Sequence, residues 1–257
     1  MKKKNSITIL HDNYIDNNYK DFFTNCFLNT NVEFTSLSEF FKMTKSEDPD
    51  REYHNRLVET KNYDIVLFTG GADVNPSLYD DKIGQYTHIN KERDQEEINL
   101  YNFLPKKTLK IGICRGSQFL TVMSNGKLIQ HVEGHGSSHK IEFKTKKETY
   151  VGGQGVQLMD EIKPLVITST HHQMMYPYNL RENNYEIIAW SEKFLSNVYL
   201  NGNNEQIKVP ENFVEPEIVF YKNTNSLCIQ GHPEYGNCPG QTVKMIYDLI
   251  KEKLYEK

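Results

Sequence analysis

The 257-residue chain is 37% hydrophobic and 25% charged, a globular balance in a chain long enough to bury a full α/β core. A net charge of −4 and a pI near 6.2 exclude an electrostatic attraction to nucleic acid or to an anionic membrane. Four cysteines, at 26, 114, 228 and 238, form no C-x-x-C pair and no framework spacing, which points to a reducing compartment and a cytoplasmic protein. Met1-Lys2-Lys3-Lys4 resembles the basic start of a signal peptide. The apolar run that follows, Ile7–Leu10, is cut short by His11-Asp12 and is too brief for the hydrophobic part of one. With no apolar span of about 18 residues, no membrane crossing is expected.

In chain order, Ser6–Leu10 predicts a first strand. Asp16–Leu28 predicts a helix that buries Tyr19, Phe22, Phe23, Cys26 and Phe27. Val32–Phe34 predicts a second strand. Residues 36–60 are charged and mixed and read as helix and loop, with a turn or helix start at Ser46-Glu47-Asp48-Pro49-Asp50. Ile65-Val66-Leu67-Phe68 is a clear buried strand that ends at Thr69-Gly70-Gly71. A helix over Asp94–Leu104 stops at Pro105, and Leu109–Ile113 follows as another buried strand. Strands alternating with helices imply a parallel sheet covered on both faces, with its chemistry at the carboxyl ends of the strands. The second half is richer in strands: Ile141–Phe143, Leu165–Thr168, Tyr185–Trp190, Glu217–Tyr221 and Leu227–Gln230. Residues 197–216, with their asparagines and prolines, read as a long surface loop. From Pro239 to Lys257 an amphipathic helix carries Val243, Ile246, Tyr247, Ile250 and Leu254. With no repeat, linker or composition break, residues 1–257 are expected to form one domain.

The chain is organised around Lys110–Leu120. Cys114 falls where the strand ends and a helix begins, with glycines at 112 and 116 allowing close backbone approach. A helix N-terminus beneath a thiol favours thiolate, and the Arg115 N–H points where an oxyanion on the bound substrate would form. This is a nucleophile elbow with cysteine as nucleophile; the plainer alternative is a small buried cysteine before a helix. Three other constellations sit at strand ends. His232-Pro233-Glu234 offers a base and the carboxylate that orients it. Thr69–Val74 offers side-chain-free N–H groups. Ser169-Thr170-His171-His172-Gln173 offers polar groups for a polar substrate.

Gly-x-Cys-Arg-Gly-x-Gln around Cys114, followed about 115 residues later by Gln-x-His-Pro-Glu, resembles the class I glutamine amidotransferase superfamily. Within it, Gly70–Tyr79, Arg93-Asp94 and Ser169–Gln173 resemble the γ-glutamyl-γ-aminobutyrate hydrolase branch, from about residue 60 onward. The resemblance implies a flavodoxin-like, mostly parallel sheet with helices on both faces and a flanking small β-subdomain. It implies Cys114 as nucleophile, His232 as base and acid, Glu234 as orienter, and the main-chain N–H groups of Gly71 and Arg115 as oxyanion hole. Gln118 and His172 would lie near the γ-glutamyl group, with Gly70 beside them. Two positions depart from the branch: Gly231 stands where an aromatic residue is usual and would widen the pocket wall beside the base, and Asn125 stands where glycine is common.

His131, His135 and His139 recur at helical spacing, which would stack three metal ligands on one face. Gly134, Gly136, Ser137 and Ser138 argue against a helix there, so no metal and no cofactor are expected. Arg93-Asp94 is expected as a helix-start ion pair and His171 as a structural hydrogen-bonder. Two functions follow. One is a stand-alone cysteine hydrolase acting on γ-glutamyl amides through a thioester. The other is a glutaminase subunit that hands ammonia to a synthetase or ligase on another chain. The partners implied are a small-molecule γ-glutamyl substrate, that second chain under the second function, and a further copy of this one as a homodimer.

Overall fold

The computed structural model describes residues 6–151 and 155–255; the lysines at the start of the chain lie outside them. The elements are β1 (Ser6–His11), α1 (Asn17–Cys26), β2 (Asn31–Ser36), α2 (Leu37–Thr44), α3 (Pro49–Glu59), β3 (Ile65–Phe68), α4 (Lys91–Phe103), β4 (Leu109–Ile113) and α5 (Arg115–Met123). Then come β5 (Lys127–Ile129), β6 (His131–Val132), β7 (His139–Val151), β8 (Gly155–Ile167), β9 (Met174–Tyr176), β10 (Tyr185–Ser191), β11 (Tyr199–Leu200), β12 (Pro216–Tyr221), β13 (Ser226–Ile229) and α6 (Gly240–Tyr255).

One sheet of nine strands runs β2-β1-β3-β4-β13-β12-β10-β7-β8. From β2 to β13 every pairing is parallel, which is the flavodoxin-like half. From β13 onward every pairing is antiparallel. The β-rich second half therefore continues the same sheet, and β13 is the strand where the two halves meet. Two small ribbons, β5 with β9 and β6 with β11, stand apart from it.

Both faces are covered. On one, Phe22, Phe23 and Cys26 of α1 and Ile246, Ile250 and Leu254 of α6 pack on Ile9, Ile65, Ile111 and Ile229. On the other, Phe40 of α2, Leu100 of α4 and Phe119 and Leu120 of α5 pack on Val66, Phe68 and Cys228. The central strands β3 and β4 are buried along their whole length; β3 is an unbroken apolar run, and in β4 only Lys110 interrupts it, its Nζ donating to main-chain carbonyls such as Thr108 O and Thr224 O.

Helix starts follow their local chemistry. Asp16 accepts hydrogen bonds from the N–H groups of Asn18 and Tyr19. Ser36 and Glu39 form a reciprocal capping box, and Asp48 caps a helix whose first residue is Pro49. α4 starts three residues before the predicted Asp94, because the Asn90 side chain caps it at the Arg93 N–H.

Two expectations need correction. Ile141–Phe143 and Leu165–Thr168 are only the inner ends of a hairpin of two 13-residue strands, β7 and β8. The supposed surface loop 197–216 contains β11 and buries Tyr199 and Phe213 against Ile129, Val132 and Met174. Among the described residues no helix is long and apolar enough to cross a membrane.

Candidate active site

Cys114 joins β4 directly to α5, with φ 52° and ψ −112°, a conformation that a non-glycine residue rarely takes. Surrounding contacts hold it there. Its N–H donates to Ile229 O at 2.8 Å, and its carbonyl accepts from the Ser117 N–H at 3.0 Å and the Ser117 hydroxyl at 2.6 Å. The helix can start this close to the sheet because a Cβ at Gly112 would strike Gly116 O, and one at Gly116 would strike Phe68 O.

The end of β13 supplies the partner. His232 is anchored by its N–H to Thr168 O at 2.7 Å, its ring stacks on Tyr235 with centroids 4.3 Å apart, and Nδ1 meets Glu234 Oε1 at 2.7 Å. Nε2 is the nitrogen left for the thiol. Burial works against the imidazolium, but the Cys114 sulfur and the Glu234 carboxylate outweigh it and push His232 up to about 10.

The end of β3 closes the site from the other side. Gly71 sits at φ 141°, where a side chain would be strained and would strike the Arg93 guanidinium. Among the described residues nothing accepts from its N–H, and Arg115, as the first helical residue, has no intrahelical acceptor either. Gly70 is different: its N–H donates to Tyr19 Oη at 3.0 Å and its carbonyl accepts from Arg93 Nη1 at 2.8 Å. Both main-chain groups of Gly70 are thus engaged within the protein, so it shapes the site beside Cys114 without a hydrogen bond to spare. Tyr19 has no sequence signature that links it to this site. Burial first, then the Glu234 carboxylate, push its phenol far up, so it stays protonated.

A cleft of about 80 Å³ opens over Cys114, with Gly71, Arg115, Gln118, His172 and Asp73 on its walls. Gln118 is buried and donates from Nε2 to Gln173 O at 3.2 Å. His172, with its side chain 42% exposed, forms the open edge and pairs with Asp73 Oδ1 at 3.2 Å. A roomier groove elsewhere on the surface is lined by lysines and carboxylates and has no cysteine.

The peptidase C26 family model matches residues 43–194, more than half of the chain. The chain belongs to the peptidase C26 family. A protein of Rickettsia prowazekii, named as glutamine amidotransferase-like, is 30% identical over 228 residues, covering 78% of this chain and 80% of its own. A Schizosaccharomyces pombe protein named as a glutamine amidotransferase is 35% identical over 78 residues, covering 29% and 31%. In fold, the chain matches a Thermoplasma acidophilum structure described as that of a GMP synthase subunit. That match has a TM-score of 0.56 and 12% identity, covering 98% of this chain and 94% of that one. The C26 match takes in Gly71, Cys114, Gln118 and His172; His232 and Glu234 lie beyond its end and join them through the sheet.

Behind the two N–H donors of this C26 chain lies a buried ionic network. Arg93 Nε meets Glu97 Oε1 at 2.8 Å, and its Nη2 reaches Asp12 Oδ2 at 3.1 Å and Thr69 O at 3.0 Å. The Arg115 side chain points away from the cleft and bonds Ala72 O at 3.1 Å, Glu97 and Asp94. Asp12 also accepts from the Thr69 N–H at 2.6 Å. Arg93-Asp94 is therefore neither a simple helix-start pair nor a substrate contact; it fixes the glycine loop. Asp12 was missed in the sequence because the residues it joins lie far away along the chain; Glu97 stands at i,i+4 from Arg93, but its second partner, Arg115, lies on another helix.

The helical three-histidine stack does not form. No helix spans these residues: His131 lies in β6 and stacks on Tyr86, with centroids 4.0 Å apart. His135 and His139 instead meet Glu217 of β12 and His171. His171 does serve a hydrogen bond, from Nδ1 to Gln173 O at 2.8 Å.

Gly231 also differs from expectation. A Cβ there would come within 2.6 Å of Ile167 and 2.7 Å of Thr168 O, so it faces packed interior and widens no pocket wall. Gly231→Val is expected to cost about 1–3 kcal/mol through overpacking, a fall in Tm of roughly 2–12 °C. A thermal melt at or above wild type would mean that side has room after all. Asn125, the other departure, has φ 65°, and asparagine is the non-glycine residue that best tolerates such a conformation.

Proposed function

We propose that this chain is a cysteine hydrolase that cleaves γ-glutamyl amide bonds, in γ-glutamyl amines or glutamine, through a γ-glutamyl thioester. The observation that carries this reading is Cys114 at its strained elbow, facing a histidine whose far nitrogen is held by Glu234 at 2.7 Å. His232 takes the thiol proton as the sulfur attacks the γ-carbonyl carbon. The N–H groups of Gly71 and Arg115 receive the oxyanion. The C–N bond then breaks as His232 returns the proton to the leaving amine. Water, deprotonated by His232, hydrolyses the thioester to glutamate and frees the thiol. Gln118 and His172 lie at the cleft wall where they would touch the γ-glutamyl group. The amine half is assigned to the open His172 edge, not to the Gly231 side. Residues 1–257 would act as one domain, and four free thiols suit the cytoplasm.

The second reading, a glutaminase subunit that hands ammonia to a synthetase or ligase, is favoured by the small size of the cleft. Turnover by the isolated chain separates the two. Purified protein assayed against glutamine and a panel of γ-glutamyl amines is expected to turn over at least one amine with no second chain added. Inertness toward every γ-glutamyl amine, with glutamine cleaved only when a second chain is added, would carry the second reading instead.

A further inference from the structure

Beside the cleft, four segments bring three imidazoles onto one carboxylate. Glu217 Oε1 lies 2.8 Å from His139 Nε2, 3.1 Å from His135 Nδ1 and 3.6 Å from His171 Nε2. The His135, His171 and Glu217 side chains are at most 1% exposed and that of His139 is 7% exposed.

The tautomers decide what this cluster is. His171 Nδ1 faces the Gln173 carbonyl at 2.8 Å and His139 Nδ1 faces the Ser137 carbonyl at 3.1 Å. A carbonyl only accepts, so both Nδ1 atoms carry their proton. Each Nε2 then turns inward on Glu217. His135 is turned the other way, with Nδ1 inward and Nε2 3.2 Å from Glu215 Oε2, within ion-pair distance but without hydrogen-bond geometry. An outer N–H held by a carbonyl or carboxylate, with the inner nitrogen aimed at a common point, is the arrangement of metal-bound histidines.

Protons alone leave the cluster incomplete. Bridging hydrogens can serve His135 and His139, but His171 Nε2 and Glu217 Oε2 are buried with no hydrogen-bond partner. As a lone pair that nitrogen meets no donor, and as an N–H it meets no acceptor in reach. A cation between the four groups answers both atoms, and a divalent one balances Glu215 and Glu217.

We propose that His135 Nδ1, His139 Nε2, His171 Nε2 and Glu217 hold one divalent transition-metal ion, zinc by donor type and number. A tetrahedral ion with bonds of about 2.0–2.1 Å has ligand separations of roughly 3.3–3.4 Å; the donor atoms of His135, His139 and Glu217 already lie within 4.8 Å of one another, and His171 Nε2, 3.6 Å from Glu217 Oε1, is the fourth donor and moves in to complete the site. Four protein donors leave no open position for water, so the ion is structural. Gln173 O, which takes the His171 N–H, also takes Gln118 Nε2. The ion therefore anchors the wall of the cleft and takes no part in thiol chemistry.

Untagged protein is stripped with a chelator, reloaded with Zn²⁺, desalted and analysed for metal. About one zinc per chain is expected, with a higher Tm than the stripped protein. Co²⁺ loading should give the intense visible absorption of a tetrahedral ion, without a thiolate charge-transfer band. His139→Ala should lose the metal, and Cys114→Ser should keep it. The proposal falls if reloaded wild type holds no stoichiometric metal, if His139→Ala retains it, or if the zinc leaves with Cys114→Ser. The wild-type cobalt spectrum decides the matter even where His139→Ala fails to fold.

Discussion

Cys114→Ser is expected to lower turnover of γ-glutamyl substrates at least about 10³-fold, a loss of roughly 4 kcal/mol in transition-state stabilisation. Serine keeps the elbow and its contacts, so the melting temperature should stay near that of the wild type. What changes is the proposed nucleophile: a hydroxyl gives up its proton to a histidine far less readily than a thiol does. Intact-mass analysis after an electrophilic glutamine analogue should show one adduct on the wild-type chain, at Cys114, and none on the variant. Cys228 is fully buried and burial pushes its thiol above the range in which it would react; Cys26 is raised to about 12. An adduct on Cys26, Cys228 or Cys238 in place of Cys114 would overturn the assignment.

Arg93→Leu is expected to be the most destabilising single change near the site. It leaves Asp12 and Glu97 as buried carboxylates short of a partner, which costs about 3–5 kcal/mol, a fall in Tm of roughly 6–20 °C. The carbonyls of Thr69 and Gly70 lose their donors as well. With the glycine loop released, the Gly71 N–H no longer points at a fixed place, and acylation should slow by roughly 10²–10³-fold in the molecules that remain folded. Arg93→Lys should rescue little, because one ammonium cannot serve four acceptors in a plane. Arg93→Leu combined with Glu97→Gln should melt higher than Arg93→Leu alone. Additive losses in the double variant would show that the two residues do not act as a pair.

How much of this was legible in the sequence depended on distance along the chain. The elbow could be read because strand, thiol and helix are consecutive, and because β4 is buried on both faces and therefore mostly apolar. The His232–Glu234 pair could be read because its members are two residues apart. The holding groups could not. Tyr19 reaches Gly70, Asp12 reaches Thr69, and Glu97 reaches Arg115 across separations that only the sheet brings together. The hairpin of β7 and β8 escaped because its outer part, rich in Lys, Thr and Glu, has no apolar alternation to follow. The histidine cluster could not be read for a related reason: Glu217 comes from β12 and His171 from the segment after β8, far along the chain from His135 and His139. Gly231 was judged by the residue that usually stands there, and the neighbours of its Cα, Ile167 and Thr168, lie more than sixty positions away.

The position of β13 has a consequence for how the molecule is made. It follows every other described strand in the chain, yet it lies in the middle of the sheet, between β4 and β12. Until it inserts, the parallel and antiparallel halves are two separate sheets, each presenting an unpaired edge that invites pairing with another chain. Its pairing with β12 is a local hairpin, but its pairing with β4 joins Ser226 to Lys110 across a long stretch of chain, so closing the sheet belongs to a late and slow stage of assembly. The same four residues lead straight into His232. The strand that joins the halves also delivers His232, so a partly folded chain carries Cys114 without the imidazole that activates it in the proposed mechanism. On that mechanism the thiol is kept idle during synthesis until the sheet is whole, and a product truncated before residue 226 would be both aggregation-prone and chemically silent.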